Sequence, residues 1–361
     1  MQKTVLKQRT PAGMLDILPE AAAVLEKLER DIMELFYLWA YDRVITPTIE
    51  FAACVQPESD GEDHLYKFFD RRGRIIALRP EFTTPIARMV SSRMRELKLP
   101  LRFSYSGNVF RYTTDDRPRE FRQAGVELIG SASALADAEI IALAIEALRR
   151  LGIKDFQLSM GEMSIFVGLM EETGISEGLR AQLENALSRK DIVAIEQLAD
   201  QNRLTESVRK ILLRLPHLRG GVEILDEVSQ LSNRPAVAGA VENLRRVYDY
   251  LGEFGVQDAV VLDMGVLRGF AYYTGVIFEG YVPGVAFPVI EGGRYDRLYD
   301  DFQNPLPATG FALNLSSLVT FLPEQKAPEE QETVDGEQAG QVIRRCRELR
   351  AQGRRTVMAL R

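Results

Sequence analysis

The sequence predicts an α+β chain: an antiparallel sheet flanked by helices and interrupted by a helical insertion. Three observations carry this. Residues 104–130, SYSGNVFRYTTDDRPREFRQAGVELIG, read as two strands joined by a charged turn. From about residue 164 to 250, helical segments such as GLRAQLENALSRKDIVAIEQLADQNRL and GVEILDEVSQLSN follow one another without strand signals. Strand character then returns in AVVLDMGVLRGFAYYTGVIFEGYV.

The hairpin organises the rest. Alternation puts Phe103, Tyr105, Gly107, Val109 and Arg111 on one side of its first strand, and Phe121, Gln123, Gly125, Glu127 and Ile129 on one side of its second. Gln123 and Glu127 therefore flank a glycine on one face. A glycine within a strand leaves room for something to approach, so amide, gap and carboxylate make either the floor of a small polar site or a face that meets water.

The composition sets limits. With 361 residues, 46% hydrophobic and 27% charged, the chain suits a soluble globular protein of two or three domains. No apolar run approaches the roughly 20 residues of a membrane helix, and MQKTVLKQRTPAG lacks a signal peptide's apolar core, so a cytoplasmic location is expected. Two cysteines, Cys54 and Cys346, and two histidines, His64 and His217, give neither a disulfide framework nor a metal-ligand cluster. They also argue against imidazole or nucleophilic catalysis. A net charge of -7 disfavours generic nucleic-acid binding, although a local basic patch can coexist with it.

Taken in order, PEAAAVLEKLERDIMELFYLWA predicts a long amphipathic helix with Pro19 near its start and Leu25, Leu28, Ile32, Leu35, Phe36 and Trp39 at helical spacing. DRVITPTIEF reads as a strand interrupted by Pro47, which removes a ladder donor and marks an edge or a subunit boundary. YKFFDRRGRIIAL reads as a hairpin around Arg71 to Gly73. In LRPEFTTPIARMVSSRM, Pro80 and Pro85 are expected to hold Glu81 to Thr84 near-extended before a helix begins, so that Glu81 and Thr83 point the same way; alternatively Thr83 or Thr84 is only a helix cap. SALADAEIIALAIEALRRLGI is a periodic helix and KDFQLSMGEM a strand. PATGFALNLSSLVTFL gives a short strand leading into a helix. EGGRYDRLYDDF has neither the GxGxxG nor the GxxxxGK[ST] spacing of a phosphate loop.

Residues 323–338, PEQKAPEEQETVDGEQ, have the acidic, aromatic-free composition of a linker. The last 23 residues, 339–361, are expected to form one helix and one strand. Their seven arginines form a potential basic patch for a polyanion, and so short a segment must dock elsewhere or be a fragment of a larger unit. The expected organisation is a core over 1–322, with the insertion at about 164–250, then the linker and the short terminal segment.

Together, residues 10–322 resemble the histidyl-tRNA synthetase catalytic core, a class II aminoacyl-tRNA synthetase fold. PAGMLDILPE looks like the family's entry, VITPTIEF like motif 1 with its interface proline, NVFRYTTDDRPREFRQAGVELIG like motif 2, and TGFALNLSSLV stands in the place of motif 3. LRPEFTTPIAR, and VLRGFAYYTGVIFE in the place of the signature RGLDYYTxTVFE, are specific to the histidine enzymes. By this resemblance Glu81, Thr83 and Gln123 would hold an amino acid's ammonium group, and Glu127 and Tyr273 would read its imidazole. The chemistry fits: an ammonium wants carboxylate and neutral acceptors, and ring N–H groups want a carboxylate or phenol oxygen.

The departures matter as much. Where an active synthetase reads close to GFAxGxERL, Asn314 replaces the second glycine and Ser316–Ser317 replace the Glu-Arg pair, which removes a permanently charged bidentate donor. Asp115 and Asp116 make the motif 2 loop short and acidic, and Ala271 replaces the signature's aspartate. Arg111 and Arg268 remain where the family sets arginine against the adenylate, and would serve chemistry, bind an anion or make structural ion pairs.

This combination resembles the regulatory subunits of ATP phosphoribosyltransferase, paralogues of the synthetase. The resemblance implies no catalysis and no cofactor of its own. It implies a homodimer through the synthetase-like core, and partnership with the short-form catalytic subunit in a hetero-octamer of four plus four chains. L-histidine would be the effector, giving allosteric feedback control of the first step of L-histidine biosynthesis. The alternative is a divergent or truncated histidyl-tRNA synthetase that still forms histidyl adenylate. A third expectation, RNA sensing through the arginine-rich tail, is disfavoured by the acidic total.

Overall fold

A computed structural model describes residues 8–55, 64–113, 118–171, 175–232, 234–266, 273–319, 321–322, 332–336 and 338–359. Helix α1, Pro19–Leu38, begins with proline at its first position, where the missing N–H would have no intrahelical acceptor anyway, and buries Leu28, Ile32, Leu35 and Phe36 at helical spacing. Strand β1, Asp42–Arg43, pairs in parallel with β5, Leu101–Phe110, whereas β2, Ile49–Phe51, pairs with β4, Ile75–Leu78. Pro47 therefore does more than mark an edge: it separates two strands that belong to different sheets, each at a border. A single turn, α2, Ala52–Val55, follows β2. The expected hairpin is formed by β3, Lys67–Phe69, and β4, with the Asp70 carboxylate accepting the N–H groups of Arg72 and Arg74 in the turn.

The helix α3, Thr83–Arg93, starts earlier than expected. Glu81 to Thr84 is not an extended segment, because a proline in the first helical turn interrupts no bond, so Pro85 is no barrier to a start at Thr83. Neither threonine caps this helix; both oxygens of Glu81 accept the Thr84 N–H at 3.1 Å. The central hairpin is β5 with β6, Glu120–Ile129, and its register sets Phe103 opposite Glu127, Tyr105 opposite Gly125 and Gly107 opposite Gln123, so the two expected faces are one face.

Helix α4, Ala134–Arg150, is capped by the Ser133 hydroxyl and buried along most of its length. Strand β7, Gln157–Glu162, leads into the helical stretch: α5, Met163–Glu171; α6, Glu177–Ser188; α7, Ile192–Gln201; α8, Glu206–Arg214; then the two-residue strand β8, Arg219–Gly220; α9, Ile224–Leu231; and α10, Pro235–Glu253. Helix α10 packs back on α4 and α5, so the last helix of this stretch joins the core. The chain continues through β9, Val260–Asp263; β10, Val276–Tyr281; β11, Ile290–Arg294; β12, Ala308–Asn314; and the short helix α11, Leu315–Val319.

Among the described residues the main sheet has nine strands in the order β1-β5-β6-β12-β11-β10-β7-β9-β8, antiparallel apart from the β1/β5 and β7/β9 pairs. Alternation along β6 sorts its two faces. Ala124, Val126 and Leu128 join the core with α1 and α4, where Phe36 meets Phe311 edge-on at 5.8 Å, whereas Ile129 lies with Phe82, Ile86 and Tyr105 beneath α3. Full burial of one such aliphatic or aromatic side chain contributes about 1.5–3 kcal/mol.

Beyond the core, β13, Glu332–Val334, lies inside the stretch expected to be linker and pairs in parallel with β14, Thr356–Met358. Helix α12, Ala339–Ala351, connects them and buries Val342, Cys346 and Leu349, so the terminal segment is a β-α-β unit. A parallel partner more than 20 residues away leaves no local hairpin signal, which is why composition alone suggested a linker. No helix among the described residues is long and apolar enough to cross a membrane.

Candidate functional site

The pocket-facing side of the β5–β6 hairpin is closed by α3 above it and by β11 and β12 beside it. Tyr105 rises from β5, and Gln123 and Glu127 from β6, two alternations apart on one face. Glu81 and Thr83 enter from the start of α3. Tyr273 precedes β10, and Glu291 and Tyr295 come from β11 and the residue after it. All five residues expected to hold an amino acid, Glu81, Thr83, Gln123, Glu127 and Tyr273, thus line one cavity, together with Arg111. Arg268 and Ala271, like Asp115 and Asp116 of the motif 2 loop, lie outside the described residues.

Glu127 is the centre of this site. It is 1% exposed; its Oε1 accepts the Thr83 hydroxyl at 2.8 Å, and its Oε2 accepts the Tyr295 hydroxyl. Burial pushes its carboxyl up to about 8, against the two hydrogen bonds that favour the charged form, and the nearby Glu81 adds to the rise. Burial also raises Glu81, whose cap bonds to Thr84 oppose it. The Tyr273 phenol is held well above its usual range by burial and by the Glu291 carboxylate. Three carboxylates, Glu81, Glu127 and Glu291, face this cavity with one guanidinium, Arg111, so its chemistry suits a ligand that brings positive charge or N–H donors. Arg111 donates through Nε to the Pro80 carbonyl at 2.9 Å and lies over the Phe121 ring. The Gln123 Oε1 is buried without a hydrogen-bond partner, an acceptor at the pocket wall.

The gap expected at Gly125 is not open to a ligand. A Cβ there would meet the Tyr105 hydroxyl and the Phe311 carbonyl, so the glycine makes room for Tyr105. That ring stacks on Phe82 at 4.4 Å, with the Arg79 guanidinium on the other side of Phe82, and a Cβ at Gly107 would collide with both Phe82 and Arg79. Gly310 in turn makes room for the Glu127 carboxylate. These glycines pack the walls of the site instead of leaving its floor bare.

Sequence reasoning missed Glu291 and Tyr295. The glycine pair of EGGRYDRLYDDF suggests a turn, but Gly292 and Gly293 lie inside strand β11, with Glu291 and Tyr295 on either side of them; the signal in the sequence is that carboxylate and phenol flanking the pair.

The positions of motif 3 carry structural bonds. The Asn314 side chain accepts the Ser317 N–H at 3.2 Å, capping α11, and the Ser316 hydroxyl accepts the Arg122 N–H at 2.8 Å, fixing α11 to β6. Arg122 itself is committed to Glu29 at 2.7 Å and to Asn108. Among the described residues, no group of three or more His, Cys, Asp and Glu side chains is placed to hold a metal ion.

A larger, open depression of about 530 Å3 lies elsewhere, lined by Trp39, Asp42, Pro100, Arg102, Glu139 and Phe254 among others. Its polar groups do not converge on free space, because Arg102 and Glu139 already form a bidentate pair at 2.8 and 2.9 Å. The smaller cavity is the better functional candidate, since its polar groups come from five separate segments and turn inward.

Comparison with known proteins agrees with this geometry. The histidyl-tRNA synthetase family matches residues 13–318. An ATP phosphoribosyltransferase regulatory subunit of Desulfitobacterium hafniense is 51% identical, over 100% of this chain and 94% of its own. One from Moorella thermoacetica is 43% identical, over 98% and 92%. A crystal structure described as an ATP phosphoribosyltransferase regulatory subunit/histidyl-tRNA synthetase from Bacillus halodurans superposes with a TM-score of 0.88 at 32% identity, covering 97% of this chain and 92% of that one. With a class II core, a cavity on which polar groups from separate segments converge, and motif 3 positions given over to structural bonds, the chain belongs to the histidyl-tRNA synthetase family, and within it to the ATP phosphoribosyltransferase regulatory subunits.

Proposed function

We propose that this chain is a non-catalytic regulatory subunit, required for the activity of a short-form ATP phosphoribosyltransferase and for its control by histidine at the first step of L-histidine biosynthesis in the cytoplasm. The observation that carries this is the contrast within one sheet. Glu81, Thr83, Gln123, Glu127 and Tyr273 still converge on one cavity, while Asn314 and Ser316 at the old nucleotide grip are spent on capping α11 and tying it to β6. An ammonium fits the Glu81, Thr83 and Gln123 end, and an imidazole fits between Glu127 and Tyr273. Arg111 and Arg268 remain as anion-binding remnants.

Histidine controls the partner only if it binds one arrangement of the complex better than another. A coupling of about 1–3 kcal/mol would change catalytic-subunit affinity or activity by about 5- to 150-fold. The assembly is a hetero-octamer of four regulatory and four catalytic chains, built on homodimers of the synthetase-like core. An apolar sheet face supports the homodimer: register places Ile49, Phe51 and Phe68 on one side of the small sheet, and they are 47%, 46% and 38% exposed.

The test adds this protein to a short-form ATP phosphoribosyltransferase and follows condensation of ATP with phosphoribosyl pyrophosphate, with and without histidine. Stimulation by the chain and its reversal by histidine are expected. In parallel, histidine-dependent ATP–pyrophosphate exchange by this chain alone is expected to be absent; robust exchange would instead identify an enzyme that forms histidyl adenylate.

A further inference from the structure

The cavity at the proposed histidine site is far smaller than an amino acid. It measures about 30 Å3, where one water occupies about 10–15 Å3 on a comparable measure. Each oxygen of its central acceptor already holds one donor, Thr83 on Oε1 of Glu127 and Tyr295 on Oε2, and although a carboxylate oxygen can accept a second bond, a cavity of this size has no room for a ring beside both hydroxyls. Thr83 lies in the first turn of α3, one of the five expected ligand-holding positions, but Tyr295 belongs to none of the elements that were expected to contact a ligand. It follows directly on β11, its own N–H is fixed to the Ala308 carbonyl at 2.8 Å, and it is 2% exposed.

We propose that Tyr295 is an affinity- and specificity-setting residue whose hydroxyl takes the place of a ligand's ring N–H on Glu127, so that binding exchanges one donor for the other. This rests on the assignment of the pocket to histidine and adds to it a competitor built into the chain. Exchange has two consequences. A ligand ring without an N–H displaces Tyr295 and leaves the buried Glu127 short of a donor, so it is rejected; the pocket discriminates by what it would leave unsatisfied. A ligand ring with an N–H gains only the difference between its own hydrogen bond and that of Tyr295, which holds affinity below what Glu127 alone would provide.

The backbone allows the exchange. Tyr295 stands at the end of β11, where the ladder gives way to the turn of residues 296–299, while the strand itself is pinned by Arg294, whose guanidinium bonds Asp137 at 3.1 Å and the Ser131 carbonyl at 3.0 Å. An exchange at Glu127 therefore falls on the Tyr295 side chain and not on the strand that carries it. Four other groups set the electrostatics around the exchange: Glu81 just before α3, Arg111 just after β5, Tyr273 before β10 and Glu291 on β11.

The test is calorimetry of full-length wild type and Tyr295→Phe with two probes, L-histidine and β-thienylalanine, whose ring is of similar size but carries no N–H. Phenylalanine keeps the ring and removes only the donor; circular dichroism and size-exclusion profiles confirm that the variant is folded. The expected result is a gain in histidine affinity of about 10-fold in Tyr295→Phe, the worth of one hydrogen bond, with no comparable gain for thienylalanine. Binding of histidine by the variant alone would be the same result in stronger form. Histidine binding by wild type that is unchanged or weaker in the variant overturns the exchange and leaves the pocket assignment standing. An equal gain for both probes also overturns it, because the hydroxyl then matters only as bulk. No binding of histidine by either protein overturns the assignment of the pocket and the exchange with it.

Discussion

The Thr83 hydroxyl donates to Glu127 Oε1 at 2.8 Å, joining the first turn of α3 to the centre of β6 across 44 residues of sequence. This one bond sets the geometry of the pocket, because it holds the carboxylate over Gly310 and between the two ends of the cavity. Glu127→Gln keeps the shape and one acceptor oxygen but turns an amide N–H2 toward the other of the two hydroxyls, which donates in the wild type. Histidine affinity measured by calorimetry is expected to fall about 10- to 100-fold, the cost of one mispaired buried hydrogen bond or two. Unchanged affinity would move the effector site to a contact between subunits.

Two buried carboxyls make stability fall as pH rises. Burial raises Glu127 to about 8 and Glu162 to about 7, from ordinary values near 4.5. Glu162 ends β7, bonds the Ser164 hydroxyl and N–H, and has Asp137 nearby, whose charge raises it further. Between pH 4.5 and these raised values the folded state holds more protons than the unfolded chain. Unfolding therefore releases protons, and each such group lowers stability by up to about 1.4 kcal/mol per pH unit across its window. Urea midpoints are expected to drop between pH 5 and pH 8, and Glu162→Gln, which has no charge to bury, to flatten the part of the decline below about pH 7 and leave the part above it. A wild-type profile that rises over this range would contradict the burial argument.

Arg294 and Asp137 form a buried ion pair, 7% and 1% exposed at the side chain, with N···O distances of 2.9 and 3.1 Å. Removing one member leaves the other uncompensated away from water. Arg294→Met is expected to cost about 3–5 kcal/mol by urea denaturation. Adding Asp137→Leu is expected to restore much of that loss, since an apolar pair of similar volume carries no desolvation penalty.

What local pattern could and could not reveal follows from where each group comes from. Gln123 and Glu127 were legible because period-two alternation in one strand puts them on one face, and Glu81 and Thr83 because the segment LRPEFTTPIAR resembles a known one. The geometry around Glu81 was not legible. Two prolines suggested extended backbone, yet a proline in a helix's first turn breaks nothing, and the Glu81 carboxyl accepts the Thr84 N–H at the start of the helix. Tyr295 was illegible for a different reason. It reaches Glu127 only because β11 and β6 both pair with β12, a relationship of strand order that no window of sequence contains. Gly125 misled because a missing Cβ announces a close approach without saying what approaches; here it is Tyr105.

The same glycines give a test that separates wall from ligand. At Gly125 a Cβ would lie 2.2 Å from the Phe311 carbonyl oxygen and 2.4 Å from the Tyr105 hydroxyl, and the first of these is backbone held in the β6–β12 ladder, which cannot withdraw. At Gly310 a Cβ would press on the Glu127 carboxylate and lie 2.5 Å from the Val126 carbonyl. Gly125→Ala and Gly310→Ala are each expected to destabilise by about 1–3 kcal/mol or more, as overpacking against fixed atoms does. They differ in what they do to binding. Gly125→Ala displaces Tyr105 at the wall, whereas Gly310→Ala pushes directly on the carboxylate that accepts from Thr83 and Tyr295. At a temperature where both variants remain folded, the larger loss of histidine affinity is therefore expected in Gly310→Ala. The reverse order would mean that the ligand is held by the Tyr105 wall and not by Glu127.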